Sequence, residues 1–194
     1  MKKIMFSERF GLEQAVLAGT KTMTRRIING NFEDVKAYHA NGGWHFIADT
    51  DEGDSVELKP QYEIGERVAI AQRYEDAINP LDWVNRKLYQ DEKGWSNKMY
   101  VKADLMPHRI RITGIKVERL QDISDEDAMR EGIRQSVVEY GDKKIVQWTY
   151  FGEKITTWYN SPREAFAALI DRISGRGTWQ SNPWVYAYTF KLIK

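Results

Sequence analysis

The chain has no cysteine, which excludes disulfides and thiolate metal sites together. Its three histidines, His39, His45 and His108, are scattered, and that spacing argues against zinc chemistry, so neither a metal nor any other cofactor is expected. An early apolar run of the kind a signal peptide or a membrane span needs is also missing, which predicts a soluble cytoplasmic protein with no membrane partner. Charge of one sign is not in excess either. Lys and Arg number 29 against 28 Asp and Glu, for a formal net charge of +1, so any nucleic-acid contact must come from a local patch rather than from bulk charge. No internal repeat or low-complexity segment interrupts the 194 residues, a length that suits one domain carrying long insertions.

Aromatic residues, by contrast, are plentiful. Most of the seven Trp and ten Tyr are expected in the core, while any left exposed beside a cation is suited to stack an unpaired base. The most informative stretch is Phe10 to Ile28, FGLEQAVLAGTKTMTRRII. Leu12, Ala15, Val16 and Gly19 fall at helical spacing, which predicts a short amphipathic helix up to Ala18, ended by Gly19 in the left-handed conformation. From Thr20 to Arg26, β-branched residues alternate with cations as in a strand. Two readings stand. Lys21, Arg25 and Arg26 are the solvated charges of an edge strand that discourages pairing with other chains, or they form an anion- or nucleotide-binding lip, with Arg25 and Arg26 forked onto phosphate and Lys21 as point charge or base. Residues three apart on a regular strand point to opposite faces, so Lys21 and Thr24 share a site only if the backbone bends between them.

Elsewhere the chain reads as short elements. Val35 to His39 and Trp44 to Ala48 flank Asn41-Gly42-Gly43 as a β-hairpin, across which His39 and His45 are expected to face one another. A strand over Arg67 to Gln72 runs into Arg73 and Tyr74, which read either as a second cation and an aromatic platform or as an ordinary solvated strand end. Asp76 to Lys98 lacks a period and predicts a long surface loop anchored by Trp83 and Trp95, followed by a short strand over Lys98 to Lys102. His108 to Val117 alternates Ile110 and Ile112 against Arg109 and Arg111. Ser124 caps a helix whose first turn holds Asp125, Glu126 and Asp127, and whose last turn leaves Glu131 at the negative dipole end, where a carboxylate is mildly disfavoured. A second hairpin is expected between Ile145 to Tyr150 and Ile155 to Tyr159. Ser161-Pro162-Arg163-Glu164 starts a helix with Phe166, Leu169, Ile170 and Ile173 on its apolar face, and Val185 to Ile193 alternates as a last strand.

The runs LAGTKTMTRR, YEIGERVAIAQ and DISDEDAMREGI resemble the ASCH domain family, small relatives of the PUA-like RNA-binding barrels in which a basic, threonine-bearing segment follows the first helix. The likeness covers the N-terminal third, the middle and the last strand. It implies an α+β fold, a PUA-like mixed β-barrel flanked by short helices, as a single domain over 1–194 with inserted hairpins and loops at about 29–60, 76–100 and 133–160. It also implies a cleft for a nucleoside, a nucleotide or single-stranded RNA. One branch of the family hydrolyses the acetyl amide of 4-N-acetylcytidine with a lysine, a threonine and a glutamate. Carried over, these fall on Lys21 and Thr24 within GTKTMT and on Glu131 within DAMREGI, while Arg25, Arg26, Arg73 and Tyr74 are left to hold phosphate or base. The chain is nearly twice the size of those members. On this reading Lys21 is a base, Thr24 the nucleophile or the orienter of water, and Glu131 the acid. The alternatives are a non-catalytic RNA- or nucleotide-binding module, and cleavage of single-stranded RNA, which the lack of a histidine in these motifs weakens.

Overall fold

The computed structural model describes residues 1–40, 42–140, 143–150 and 157–193. Strand β1 (Lys3–Ile4) leads through a turn into α1 (Leu12–Leu17), which Gly19 ends at φ +74°, as the spacing predicts. The backbone then bends sharply. The amides of Thr20 and Lys21 both donate to the Ala15 carbonyl, so β2 (Met23–Ile27) begins only after Lys21. Residues 32–58 fold as an antiparallel three-stranded sheet of β3 (Phe32–Ala40), β4 (Gly43–Thr50) and β5 (Ser55–Leu58). Phe46 pins this sheet to the core, edge-on to Tyr186 at 5.4 Å. Its register sets His45 opposite Tyr38 and His39 opposite Trp44, so the two histidines do not face one another; the turn pairs the strands one residue away from the expected alignment.

Strand β6 (Arg67–Ile70) is followed by α2 (Tyr74–Ala77), α3 (Trp83–Tyr89) and 3₁₀ turns at Lys98–Tyr100 and Ala103–Leu105. The expected long loop is thus partly helical, and the expected strand over Lys98 to Lys102 is a 3₁₀ turn. Side-chain caps open two of the four pieces: Asp82 accepts from the Asn85 amide and Asn97 from the Met99 amide. Such caps carry no hydrophobic period. Trp83 is 72 % exposed and anchors nothing, whereas Trp95 is half-buried beneath the Arg86 guanidinium.

Strand β7 (Arg109–Arg119) outlasts its simple alternation by means of a bulge. Its pairing with β10 (Trp184–Ile193) skips Thr113 between Phe190↔Ile112 and Thr189↔Gly114. The extra residue shifts the phase, so that Ile115 and Val117 pack on the core side with Ile110 and Ile112 instead of turning outward. After it come α4 (Asp125–Arg130), the paired strands β8 (Ile133–Tyr140) and β9 (Lys143–Tyr150), α5 (Pro162–Ser174) and α6 (Thr178–Ser181). The second hairpin therefore pairs β9 with the segment before it. Trp148 bridges Tyr159, while 155–156 of the expected partner strand and its connecting turn, 151–154, lie outside the described residues. The α5 start has the predicted serine cap, Ser161 accepting from the Glu164 amide, and the Glu164 carboxylate reaches back one residue past it to accept from the Asn160 amide.

The central sheet runs β1-β6-β7-β10-β2, antiparallel except for the β1–β6 pair. Its core face carries Val68, Ile70, Ile110, Ile112, Tyr188 and Phe190, all 2 % exposed or less; each aliphatic buried to that degree stabilises by about 1.5–3 kcal/mol. In the half of β10 between β7 and β2, both faces are covered, so Val185 and Ala187 are as buried as Tyr186 and Tyr188. The architecture is mixed α+β, rich in sheet, with short helices. The described strands close no barrel, because β1 is only two residues long and does not hydrogen-bond to β2 at the other edge. No helix among the described residues is long and apolar enough to cross a membrane.

Candidate active site

A side chain spans the open seam between the two edges of the sheet. Arg26 of β2 donates from Nη2 to the Met5 carbonyl just past β1, at 2.9 Å. Beside that bridge lies a recess of about 90 Å³, with Lys21, Thr24 and Glu131 in its lining, Phe6 and Leu12 on one wall and Phe166, Leu169 and Ile170 of α5 on another. The bend after α1 brings Lys21 and Thr24 to the same cavity. Glu131 arrives from the end of α4, tied down by the Thr22 amide, which donates to the Arg130 carbonyl at 2.9 Å. Gly132 holds φ +106°, and a Cβ there would meet Leu12 at 3.3 Å and the Lys21 stem at 3.7 Å. Glycine is needed at that position for both its backbone angle and its closeness to the lysine.

The floor of the recess is a buried charge cluster. Lys21 Nζ donates to Glu131 Oε2 at 2.6 Å and to the Glu131 carbonyl at 2.8 Å. Arg25 donates from Nη1 to Glu131 Oε1 at 3.1 Å, from Nε and Nη2 to Glu118 Oε1 at 2.9 and 2.6 Å, and from Nη2 to Asp127 Oδ2 at 3.3 Å. Lys116 completes the cluster, 2.7 Å from Asp127 and 2.9 Å from Glu118. The Lys21 side chain is 2 % exposed and that of Glu131 6 %.

Burial pulls the Lys21 amine below its ordinary value, outweighing the opposing pull of Glu131, and the positive charges of Arg26 and Arg25 push the same way. Burial alone would raise the Glu131 carboxyl, but the charges of Lys21 and Arg25 and their hydrogen bonds outweigh it and hold it below the usual range. The carboxylate has two cations and the lysine one anion. Glu131 can therefore stay ionised on Arg25 when Lys21 gives up its proton. The charges around Glu131 favour its anionic form, and its Oε2 and backbone carbonyl both accept from the Lys21 amine. The misfit of a carboxylate at a helix C-terminus is likewise answered by the two cations placed on it.

The other expected binding residues are placed differently. Arg25 is 1 % exposed at its side chain and saturated by carboxylates, so it has no fork free for phosphate. Arg26 is half-buried at the rim of the recess. Arg73 is held by Asp76 at 2.7 Å, Glu75 at 2.9 Å and Glu8 at 3.6 Å. Tyr74 is buried in a second small core with its ring 5.0 Å from Tyr89, and its hydroxyl accepts from the Lys102 amide at 2.9 Å. It opens α2 rather than ending a strand, and its ring presents no free face to a base. The structure thus gathers Lys21, Thr24, Arg25, Arg26 and Glu131 and leaves Arg73 and Tyr74 out.

Glu118, Asp127 and the wall from α5 were not expected here. Asp127 reads in sequence as an ordinary first-turn acid, and the strand register brings Lys116 and Arg25 to the same level on either side of Ala187. Among the described residues no group of His, Asp and Glu side chains is arranged to hold a metal ion. Compared with protein-family models, curated proteins and solved structures, the chain matches none. What the site can do therefore rests on its own groups: a lysine depressed toward neutrality, a fixed carboxylate, and a threonine hydroxyl that no described residue hydrogen-bonds, around a cavity walled by apolar side chains.

Proposed function

We propose that the recess hydrolyses a small amide, with the acetyl amide of 4-N-acetylcytidine or a related acylated nucleoside as its substrate, in a domain related to the PUA-like ASCH proteins. The observation that carries this reading is the Lys21–Glu131–Arg25 triad buried at the floor of the cavity. A base for amide hydrolysis needs a pKa nearer to neutrality than free lysine has, and Lys21 is depressed in that direction. Neutral Lys21 takes a proton from a water held by the Thr24 hydroxyl. That water's oxygen bonds to the acetyl carbon, the C–N bond breaks, and the proton passes from Lys21 to the departing amine, leaving acetate and the free nucleoside. Glu131 stays ionised throughout and aims the lysine. Thr24 fits the role of orienter better than that of nucleophile, because its hydroxyl makes no hydrogen bond to Lys21, whose amine is committed to Glu131.

The size of the cavity supports a small reacting group. At about 90 Å³ it is well below the ~300 Å³ or more of sites that enclose whole drug-sized ligands, so an acyl group or one face of a base enters while the rest of the substrate stays outside. Arg25 has no fork left for a phosphate, and Arg26 at the rim commits its Nη2 to the Met5 carbonyl, so the floor of the recess is built around the lysine rather than around a free guanidinium. The lining holds no histidine, which continues to weaken strand cleavage. Incubation with 4-N-acetylcytidine tests the reading: cytidine and acetate should appear in equal amounts, and Lys21→Ala should slow the release of both by roughly 10²–10⁴-fold. Undiminished turnover in that variant removes the proposal.

A further inference from the structure

A second set of cations lies on the sheet face opposite the core, the face that also carries Arg25 and Lys116, but further along the strands. The register sets Arg67 of β6 directly opposite Arg111 of β7, and Arg111 directly opposite Lys191 of β10. Directly paired residues share a face, so the three project together, and Arg109, two residues before Arg111, joins them on that face. Arg67, Arg111 and Lys191 are exposed and Arg109 is half-buried. Among the described residues none of the four makes an ion pair, a hydrogen bond or a contact with an aromatic ring. Their neighbours on the same face are satisfied: Lys3 of β1 donates to the Met99 and Val101 carbonyls, and Lys116 further along β7 pairs with Asp127 and Glu118.

The arrangement is costly for the free protein, since like charges directly across a strand pair destabilise it. Protection of an exposed sheet edge does not account for Arg111, which is paired with β6 on one side and β10 on the other, while Arg67 and Lys191 lie beyond the β1 and β2 ladders. Solubility does not need it either, in a chain whose charges balance to +1. A row of cations held at strand spacing and left without carboxylates matches a row of anions supplied from outside.

We propose that this face binds the sugar-phosphate backbone of nucleic acid. Adjacent strands lie about 4.8 Å apart, so the row from Arg67 to Lys191 is about 10 Å long. Three cations at that spacing can each neutralise one phosphate of a strand laid across them. Guanidinium forks suit phosphate oxygens. An acidic protein partner would call for an aromatic or apolar anchor among the charges, and a lipid surface for apolar side chains to insert. The row from Arg67 to Lys191 is accompanied along its strands by Ala69, Thr189 and Gly114, which supply neither; Ile193, opposite Arg109 past the end of the row, is half-buried, and no aromatic side chain joins them. The contact is to backbone only and reads no sequence. It does not depend on the amidohydrolase reading, but it gives that reading a polymer to act on, since Phe190 N–H donates to the Thr22 carbonyl and so sets Lys191 beside the segment that carries Lys21.

The test uses the whole chain and a variant, R67A/R111A/K191A, with a fluorescently labelled 12-nucleotide single-stranded RNA read by anisotropy over a salt series. The wild type should bind, with a log Kd against log salt slope about 2 units steeper than that of the variant, the value for three phosphates at ~0.7 each. K36A/K144A, which removes exposed lysines from the two hairpins, should bind like the wild type. The variant's melting temperature should equal or exceed that of the wild type, because like-charge repulsion has been relieved, and its turnover of free 4-N-acetylcytidine should be unchanged. Equal binding and equal slope for wild type and R67A/R111A/K191A overturn the proposal. So does row-dependent capture on phosphatidylserine vesicles or polyglutamate with no binding to RNA.

Discussion

Two groups of cations sit on one sheet under opposite conditions. Around the recess, Lys21, Arg25 and Lys116 are each matched by carboxylates, and the first two are removed from water; on the outer face, Arg67, Arg111 and Lys191 are exposed and have no carboxylate at all. The difference teaches that a cation's partners, not its presence, decide what it is for. The saturated cluster spends its charge inside the protein, fixing a lysine whose proton can move. The unmatched row keeps its charge facing solvent, which is what the proposed nucleic-acid contact would use.

The comparison can be broken at its strongest point first. Arg25→Ala leaves Glu118, Asp127 and Glu131 without their shared cation, and stability to urea should fall by roughly 3–5 kcal/mol, the usual cost of breaking a buried pair from one side. A loss below about 1 kcal/mol would show that the cluster is not the dry, coupled unit described. Next in size, Lys21→Ala should lower turnover of the acetylated nucleoside by roughly 10²–10⁴-fold, the range for a general base, while Glu131 keeps Arg25 and the protein stays folded by circular dichroism.

The pH dependence sharpens the contrast. Glu131 and Asp127 both titrate below their ordinary values of 4.5 and 3.8, so each contributes stability that is present above those values and lost as pH falls through the folded-state pKa. For Asp127 burial acts upward, and the hydrogen bond and charge of Lys116 with the charge of Arg25 outweigh it. Glu131→Gln should flatten the acid limb of a urea-stability profile and keep the part owed to Asp127. An unchanged acid limb would mean that Glu131 is not held ionised. Lys21 is displaced the other way for folding: its depressed pKa means that the unfolded chain binds the proton more tightly, so this residue costs stability at neutral pH and ceases to as pH rises toward 10.5. The same depression should appear in catalysis as a rate that climbs with pH and levels off below 10.5. Arg26→Ala removes one of the charges that depress Lys21, and should move that limb to higher pH.

The smallest effect belongs to the other group. Arg111→Ala should leave stability within about 0.5 kcal/mol or raise it slightly, as expected of an exposed charge flanked by like charges. A clear loss on thermal melting would mean that Arg111 has a partner, and the contrast between the two groups would fail.

Local signals carried much of the fold. The spacing in Leu12, Ala15, Val16 with Gly19 predicted α1 and its end, Ser124 and Ser161 predicted where α4 and α5 begin, and alternation predicted β6, β7 and β10. These are properties of a few neighbouring residues, and the chain writes them directly. The short helices between 74 and 105 escaped because they span three to seven residues, too few to show a helical period. The true partner of β9 escaped because pairing is chosen between distant segments.

The candidate site divides along the same line. The motif residues Lys21, Thr24 and Glu131 stand out in the sequence as a short basic run and a helix-ending carboxylate. Only the tertiary structure decided that Arg25 turns inward to three carboxylates while Arg111, no different in type, stays free. Composition fixes how many charges a chain has, but the energy of each depends on its distance to the next charge and on the water between them. Strand register, the Thr113 bulge and the unclosed seam set those distances, and none of the three is a property of any local stretch.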